Sequence, residues 1–206
     1  MPRCKICKDK FKARFFNQKT CETPKCMIEH KNEVRQKEWG KRKKVIRVEV
    51  KKTEYKGTLQ AEINKLARNI DSHFNYTCID CERVLDYHLG GKTVNGAHFN
   101  NVGSHETIRF NLHNIHASTM YCNKHNTNHK TGYEEGLKTR YSLEYFDYVK
   151  HSLKLDYQLI KLSGQEVFEA LTKVRKINRE YKDLIKDFKD GREARTFFND
   201  LLDIYY

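Results

Sequence analysis

The chain has 206 residues, with 38% apolar and 33% charged side chains and a formal charge of +13. That is enough for one ordinary domain with a modest core plus a small appendage, and two prolines without a Gly/Ser tract argue against a long disordered linker. No apolar run reaches the roughly 18–20 residues that span a bilayer, and Met1–Asn17 is too basic and broken for a signal peptide. The expectation is therefore a protein of its host's cytoplasm with no membrane partner. Thiols stay reduced there, so seven cysteines, an odd number with close pairs among them, read as metal ligands rather than disulfides.

The charge is uneven. Met1–Gly57 carries 19 Lys+Arg against 7 Asp+Glu, whereas Thr58–Tyr206 carries 21 against 20. An N-terminal arm that binds polyphosphate by counterion release fits that asymmetry.

In chain order, the first segment (1–30) places Cys4-x2-Cys7 thirteen residues before Cys21-x4-Cys26, with Phe11, Phe15 and Phe16 between. Four thiolates in two clipped pairs suit a tetrahedral zinc ion, and the metal replaces a core that so short a segment cannot build. A basic spacer (31–57) follows, with ten Lys/Arg between Lys31 and Lys52. Glu33–Lys37 and Glu38–Arg42 are favourable i,i+4 pairs, so a helix is expected to about Lys44. The alternation Val45-Ile46-Arg47-Val48-Glu49-Val50 predicts a short strand. Lys41, Arg42, Lys43 and Lys44 are the candidate DNA contacts of this arm.

The third segment (58–135) opens with Thr58 as an N-cap and with Leu59, Ile63, Leu66, Ala67 and Ile70 at helical spacing, read as core. That helix leads into Cys78-x2-Cys81, Gly96-Ala97-His98-Phe99, Arg109-Phe110, Asn114-Ile115-His116 and Cys122-Asn123. The last segment (136–206) is helical. Leu137, Tyr141, Tyr145, Phe146 and Val149 form one stripe; the capping box Ser163–Glu166 opens a second with Phe168, Leu171, Val174 and Ile177. Tyr181, Leu184, Ile185 and Phe188 continue it.

Phosphodiester hydrolysis needs a base for water, a divalent cation for the developing charge, and a scaffold that aligns both. A β-hairpin followed by a helix is the compact solution, and His98, Asn114 and Asn123 have the order and spacing for it. His98 would be the general base, since an imidazole accepts a proton near neutral pH. Asn114 would fix its tautomer, Asn123 would offer an amide oxygen to Mg²⁺ or Mn²⁺, and Arg109 would contact phosphate. Cys78, Cys81 and Cys122 supply three ligands of a second structural zinc. Thr119 stands where a fourth cysteine is expected, and His116 or His125 could replace it. His125 and His129 are spaced i,i+4, but Asn126-Thr127-Asn128 between them favours a loop. His30, His73, His88, His105 and His151 read as surface or core residues.

These motifs resemble the NinG/Rap recombination nucleases of lambdoid and other phages, a zinc-containing branch of the HNH nucleases, over most of the chain. The resemblance implies an α+β fold: an N-terminal zinc-knuckle module, a basic helical spacer, an HNH-like ββα-metal (treble-clef-like) core and a helical C-terminal tail. It further implies a phage-encoded, Mg²⁺-dependent endonuclease that cuts branched DNA such as D-loops and Holliday junctions. Recombination proteins of host or phage and a second copy of the chain are further candidate partners, and the sequence leaves the oligomeric state open. Ala97 stands where many HNH enzymes have a metal-binding Asp, and Lys124–Lys130 is longer than the family's turn after Cys-Asn. The competing reading is a non-catalytic zinc-stabilised DNA- or RNA-binding recombination accessory.

Overall fold

A computed structural model, describing residues 1–157 and 162–205, divides the chain into two compact units, Met1–Val50 and Lys51–Tyr206. The first holds a knuckle at Cys4–Asp9, in which Cys4 N–H donates to Asp9 O (2.8 Å) and Lys8 N–H to Cys4 O (3.0 Å). Lys8 sits at φ 67°, the left-handed turn that closes the knuckle. Helix α1 (Pro24–Val50) follows, with proline at the first helical position, where its missing N–H costs nothing.

The strand expected over Val45–Val50 does not form, because α1 runs through it. Val45 and Ile46 are exposed, and among the described residues no strand pairs with them. A lone strand would leave its backbone to water, whereas a helix satisfies it internally. The β-branched residues give up only a few tenths of a kcal/mol each in doing so.

The second unit is built around α2 (Lys52–His73). Thr58 does not cap it: the helix starts earlier, and the Thr58 hydroxyl bonds back to Glu54 O (3.0 Å) from inside it. Leu59, Ile63, Leu66, Ala67 and Ile70 are fully buried, as their spacing predicts, at about 2 kcal/mol for each large side chain. They pack with Val167, Leu171, Val174 and Ile177 of α7 (Gly164–Leu184) and with Ala194, Phe198 and Leu202 of α8 (Gly191–Leu202). The expected tail therefore shares one core with the segment before it, and the boundaries expected at 57/58 and 135/136 do not separate bodies. The Ser163–Glu166 capping box is present at the start of α7. Phe168, expected on its core stripe, is partly exposed and rests on Tyr55.

Antiparallel strands β1 (Val94–His98) and β2 (Ile115–Thr119) pair from Val94–Thr119 to His98–Ile115. Helix α3 (Met120–His125) follows directly, capped by the Thr119 hydroxyl. Gly96 lets β1 lie on α2, since a Cβ there would come within 2.9 Å of Asn64 Cβ. Beyond a loop at 126–128, α4 (His129–Arg140), α5 (Leu143–Asp147), a π turn and α6 (Leu153–Asp156) complete a second core with Ile79, Phe99, Ile108, Tyr133 and Leu137.

An isolated two-stranded ribbon is marginal in water, and here an ion pair fixes it to the helices. Arg195 of α8 and Asp71 of α2 are both fully buried, with Nη2–Oδ1 at 2.5 Å. Asp71 Oδ2 also accepts from Ala117 N–H of β2 (2.6 Å). Removing one partner strands a buried charge. Arg195→Ala should therefore lose about 3–5 kcal/mol in urea unfolding, against under about 1 kcal/mol for Arg175→Ala, whose pair with Glu62 is half exposed.

Candidate active site and metal centres

Each unit carries a cysteine cluster whose sulfurs lie within 4.8 Å of one another: Cys4, Cys7, Cys21 and Cys26, and Cys78, Cys81 and Cys122. A tetrahedral ion with zinc–sulfur bonds near 2.3 Å needs sulfurs about 3.8 Å apart, and Cys7 and Cys21 are 3.8 Å apart. The two knuckles have the same backbone. Cys78 N–H donates to Arg83 O (2.8 Å), Glu82 N–H to Cys78 O (3.0 Å), and Glu82 takes φ 56°. In both units the remaining sulfurs come from the first turn of a helix or just before it: Cys26 in α1 and Cys122 in α3. The clusters could hold structural zinc, the first with four sulfurs and the second with three.

His116 does not supply the missing ligand. Ala117 packs with Cys78 and Cys122, and the pleat sends the neighbouring His116 to the other face of β2. There Tyr133 OH donates to Ala97 O (3.0 Å) and so accepts from His116 Nδ1–H (2.9 Å). Full burial, aided by Arg195 and Arg140, pushes His116 well below the ordinary imidazole range. Thr119 is likewise committed: its N–H reaches Cys78 Sγ (3.3 Å) while its hydroxyl caps α3. His125 lies in a separate surface groove with Thr119 and Tyr121.

His98, at the end of β1, and Asn123, in α3, line one cavity of about 480 Å³ together with Asn100, His105, His129, Lys130 and Tyr133. His98 Nε2 lies 3.1 Å from the Arg109 carbonyl. A carbonyl only accepts, so Nε2 carries the hydrogen and Nδ1 keeps its lone pair. The Gln60 amide nitrogen, 3.2 Å from Nε2, has its own acceptor in Asn64 Oδ1 (2.9 Å). Burial lowers the His98 pKa to about 4, so the ring is neutral at pH 7.

Among the described residues no hydrogen bond joins Asn114 to His98; the Arg109 carbonyl sets the tautomer. Asn114 instead fixes the loop after the histidine: Asn100 N–H donates to its Oδ1 (2.8 Å), its Nδ2 donates to Asn100 O (3.0 Å), and Phe99 N–H donates to its carbonyl (3.0 Å). The Arg109 side chain is mostly buried, donating to Gln60 Oε1 (3.2 Å) and stacking on Phe110. Lys41, Arg42, Lys43 and Lys44 are exposed on α1, with Lys43 over the Trp39 ring.

Three lining residues were not legible as site residues. His105 and Lys130 carry no spacing signal, and His129 reads from sequence as a loop histidine. A basic groove of about 1010 Å³, lined by Lys65, Arg68, His88 and Lys182 among others, also lies along α2. Burial lowers Arg68 from its ordinary value, and among the described residues no ion pair offsets it.

Metal analysis by mass spectrometry should find two zinc ions per chain, falling to one in Cys4→Ser and in Cys122→Ser. His116→Asn should leave the count at two; a loss there would restore His116 as a ligand.

No helix among the described residues is long and apolar enough to cross a membrane. No curated protein and no solved structure matches the chain. The family model described as Bacteriophage Lambda NinG protein matches residues 1–196, essentially the whole sequence, and the chain belongs to that family.

Proposed function

We propose that this protein is a divalent-metal-dependent endonuclease that cuts branched DNA intermediates of recombination, D-loops and Holliday junctions. The observation that carries the reading is His98: neutral, tautomer-fixed, and sharing a cavity with Asn123 on a hairpin–helix scaffold. Family membership supports a role in phage recombination, and the resemblance drawn from the sequence supports an HNH-type core.

In this reading Nδ1 of His98 accepts a proton from water as the oxygen attacks phosphorus and the leaving oxygen departs. A divalent cation, when bound, would stabilise charge on the phosphate and the leaving oxygen, and Asn123 would hold it. Lys130, at the cavity with its ammonium 5.5 Å from the Phe99 ring, is placed to meet phosphate. The Arg109 backbone orients the base, and its side chain packs the loop that carries it. The exposed cations of α1 and the groove around Arg68 offer sequence-independent phosphate contacts.

One observation favours the non-catalytic accessory instead: the cavity lining contains no carboxylate. Cleavage separates the two readings. His98→Ala should cut a labelled four-way junction about 10²–10⁴-fold more slowly with binding retained; undiminished cleavage would refute the role of His98.

The pH dependence has a definite sign. A base works unprotonated, so with its pKa lowered to about 4, His98 should keep activity as pH falls through 6.5 and lose it only nearer 4. The check is a kcat/KM profile with circular dichroism confirming the fold; an acidic limb near 6.5 would contradict it. Replacing Lys41, Arg42, Lys43 and Lys44 by alanine should flatten the salt dependence of binding by about 3–4 log–log units.

A further inference from the structure

The cysteine module at the start of the chain builds a very small core and leaves two of its three phenylalanines out of it. Phe11 is buried with Cys4 and Cys26, and Ile6 and Cys21 pack beside them. Phe15 and Phe16 are 66% and 92% exposed. Burying a phenylalanine contributes about 1.5–3 kcal/mol, so two adjacent rings left in water forgo a stabilisation that matters to so short a segment.

The rings stand on a bonded loop. Gln18 ties its base together: its Oε1 accepts from Arg14 N–H (2.8 Å) and its Nε2 donates to Thr20 O (2.9 Å). Gln18 N–H also donates to Phe15 O (3.3 Å), with Asn17 in the left-handed region at φ 65°. Asparagine takes that conformation more readily than most residues. A loop ordered before it meets a partner loses less freedom on binding.

The charge around the rings selects that partner. Residues 3–22 carry seven Lys/Arg against Asp9 and Glu22, and Glu22 is paired with Arg14 (2.7 Å). Lys10, Lys12, Arg14 and Lys19, which flank the rings in sequence, are all exposed. A zinc ion with four thiolates adds two negative charges, and the segment remains cationic with it. Such a field opposes a second copy of the same surface and favours a polyanion. Nucleic acid is the polyanion whose flat bases match an aromatic ring, and cations along the backbone with rings under the bases are how open strands are held. An anionic lipid surface would attract the same charge, but binding there scales with buried apolar area. This tip offers only two rings set among Ala13, Asn17 and Gln18.

We propose that Phe15 and Phe16 form a stacking platform for unpaired DNA bases, such as those freed where strands part at a branch. The proposal rests on DNA as the partner, not on His98 as a base. In a duplex each base is covered on both faces by its neighbours, so the rings have nothing to stack on. They therefore let the basic arm tell an open strand from a closed duplex, which contacts to phosphate alone do not do.

The experiment is fluorescence anisotropy of a labelled single strand and of the matching duplex with the zinc-loaded, full-length protein, at one salt concentration and without added Mg²⁺ or Mn²⁺. Phe15→Ala with Phe16→Ala should weaken the single strand by about 5–150-fold for each stacked base. Duplex affinity, set by phosphate contacts, should move by less than about twofold. Phe15→Leu with Phe16→Leu should bind the single strand as weakly as the alanine pair, and Phe15→Tyr with Phe16→Tyr as tightly as wild type, since only a ring stacks. Zinc content and the salt dependence of binding should be unchanged throughout. Unchanged single-strand affinity in the alanine pair, an equal loss on duplex, or full affinity in the leucine pair would overturn the proposal. In the first case, lost binding to phosphatidylserine-containing vesicles would identify a membrane contact instead.

Junction cleavage keeps this apart from the nuclease reading. Single-strand affinity that falls with the rings, in a protein that never cuts DNA, leaves the platform standing and removes the nuclease. Cutting that His98→Ala abolishes, with the alanine pair unchanged on the single strand, does the reverse.

Discussion

The fold of the larger unit turns on one buried pair, Asp71 with Arg195. Two charges taken out of water cost several kcal/mol each, and this site offsets the cost by using nearly every donor and acceptor they have. Arg195 donates to Leu112 O, to Tyr141 OH, to Gly191 O and to Ile115 O as well as to Asp71. The partners lie on α2, on β2, on the turn before β2, at the end of α4 and on α8 itself. A greasy core could hold these elements together, but it would tolerate small slips between them. A saturated ion pair tolerates few, because each shift leaves a polar atom unpaired in a dry interior.

That constraint passes to the site through short links. Beside Arg195, Asn199 of α8 accepts from Leu112 N–H and donates to Asn111 Oδ1. Asn111 and Leu112 open the turn that ends at Asn114, and Asn114 in turn clamps Asn100, two residues beyond His98. From the other side, α4 sits on the knuckle through Gly132 and Gly136 and sets His129 against Asp80. The cavity is thus held between a polar lock on the C-terminal helices and a cysteine knuckle.

The residues legible in the sequence were those whose partners are near in sequence or whose spacing repeats a local geometry. The knuckles announce themselves by C-x2-C, the stripe of α2 by its period, and α7 by its capping box. His98 and Asn123 follow from hairpin-to-helix spacing. The illegible ones depend on long-range packing. Only burial beside Asp71, far away in sequence, gives Arg195 its role. Asp80 carries no motif signal, and His129, expected beside a loop, instead opens α4, whose Gly132 and Gly136 lie on the knuckle backbone. Asn114 was found by spacing but given the wrong contact, because spacing cannot tell a side chain that orients an imidazole from one that pins the adjacent loop. Val45–Val50 failed for a related reason: alternation needs a partner strand, and the described residues offer none.

The central proposal is that His98 is the general base of a metal-dependent nuclease site. Cleavage of a labelled four-way junction by wild type and His98→Ala, with a divalent ion or with EDTA, tests it most directly. The account predicts metal-dependent cutting that His98→Ala slows by about 10²–10⁴-fold with binding retained. Cutting that survives EDTA or His98→Ala would contradict it.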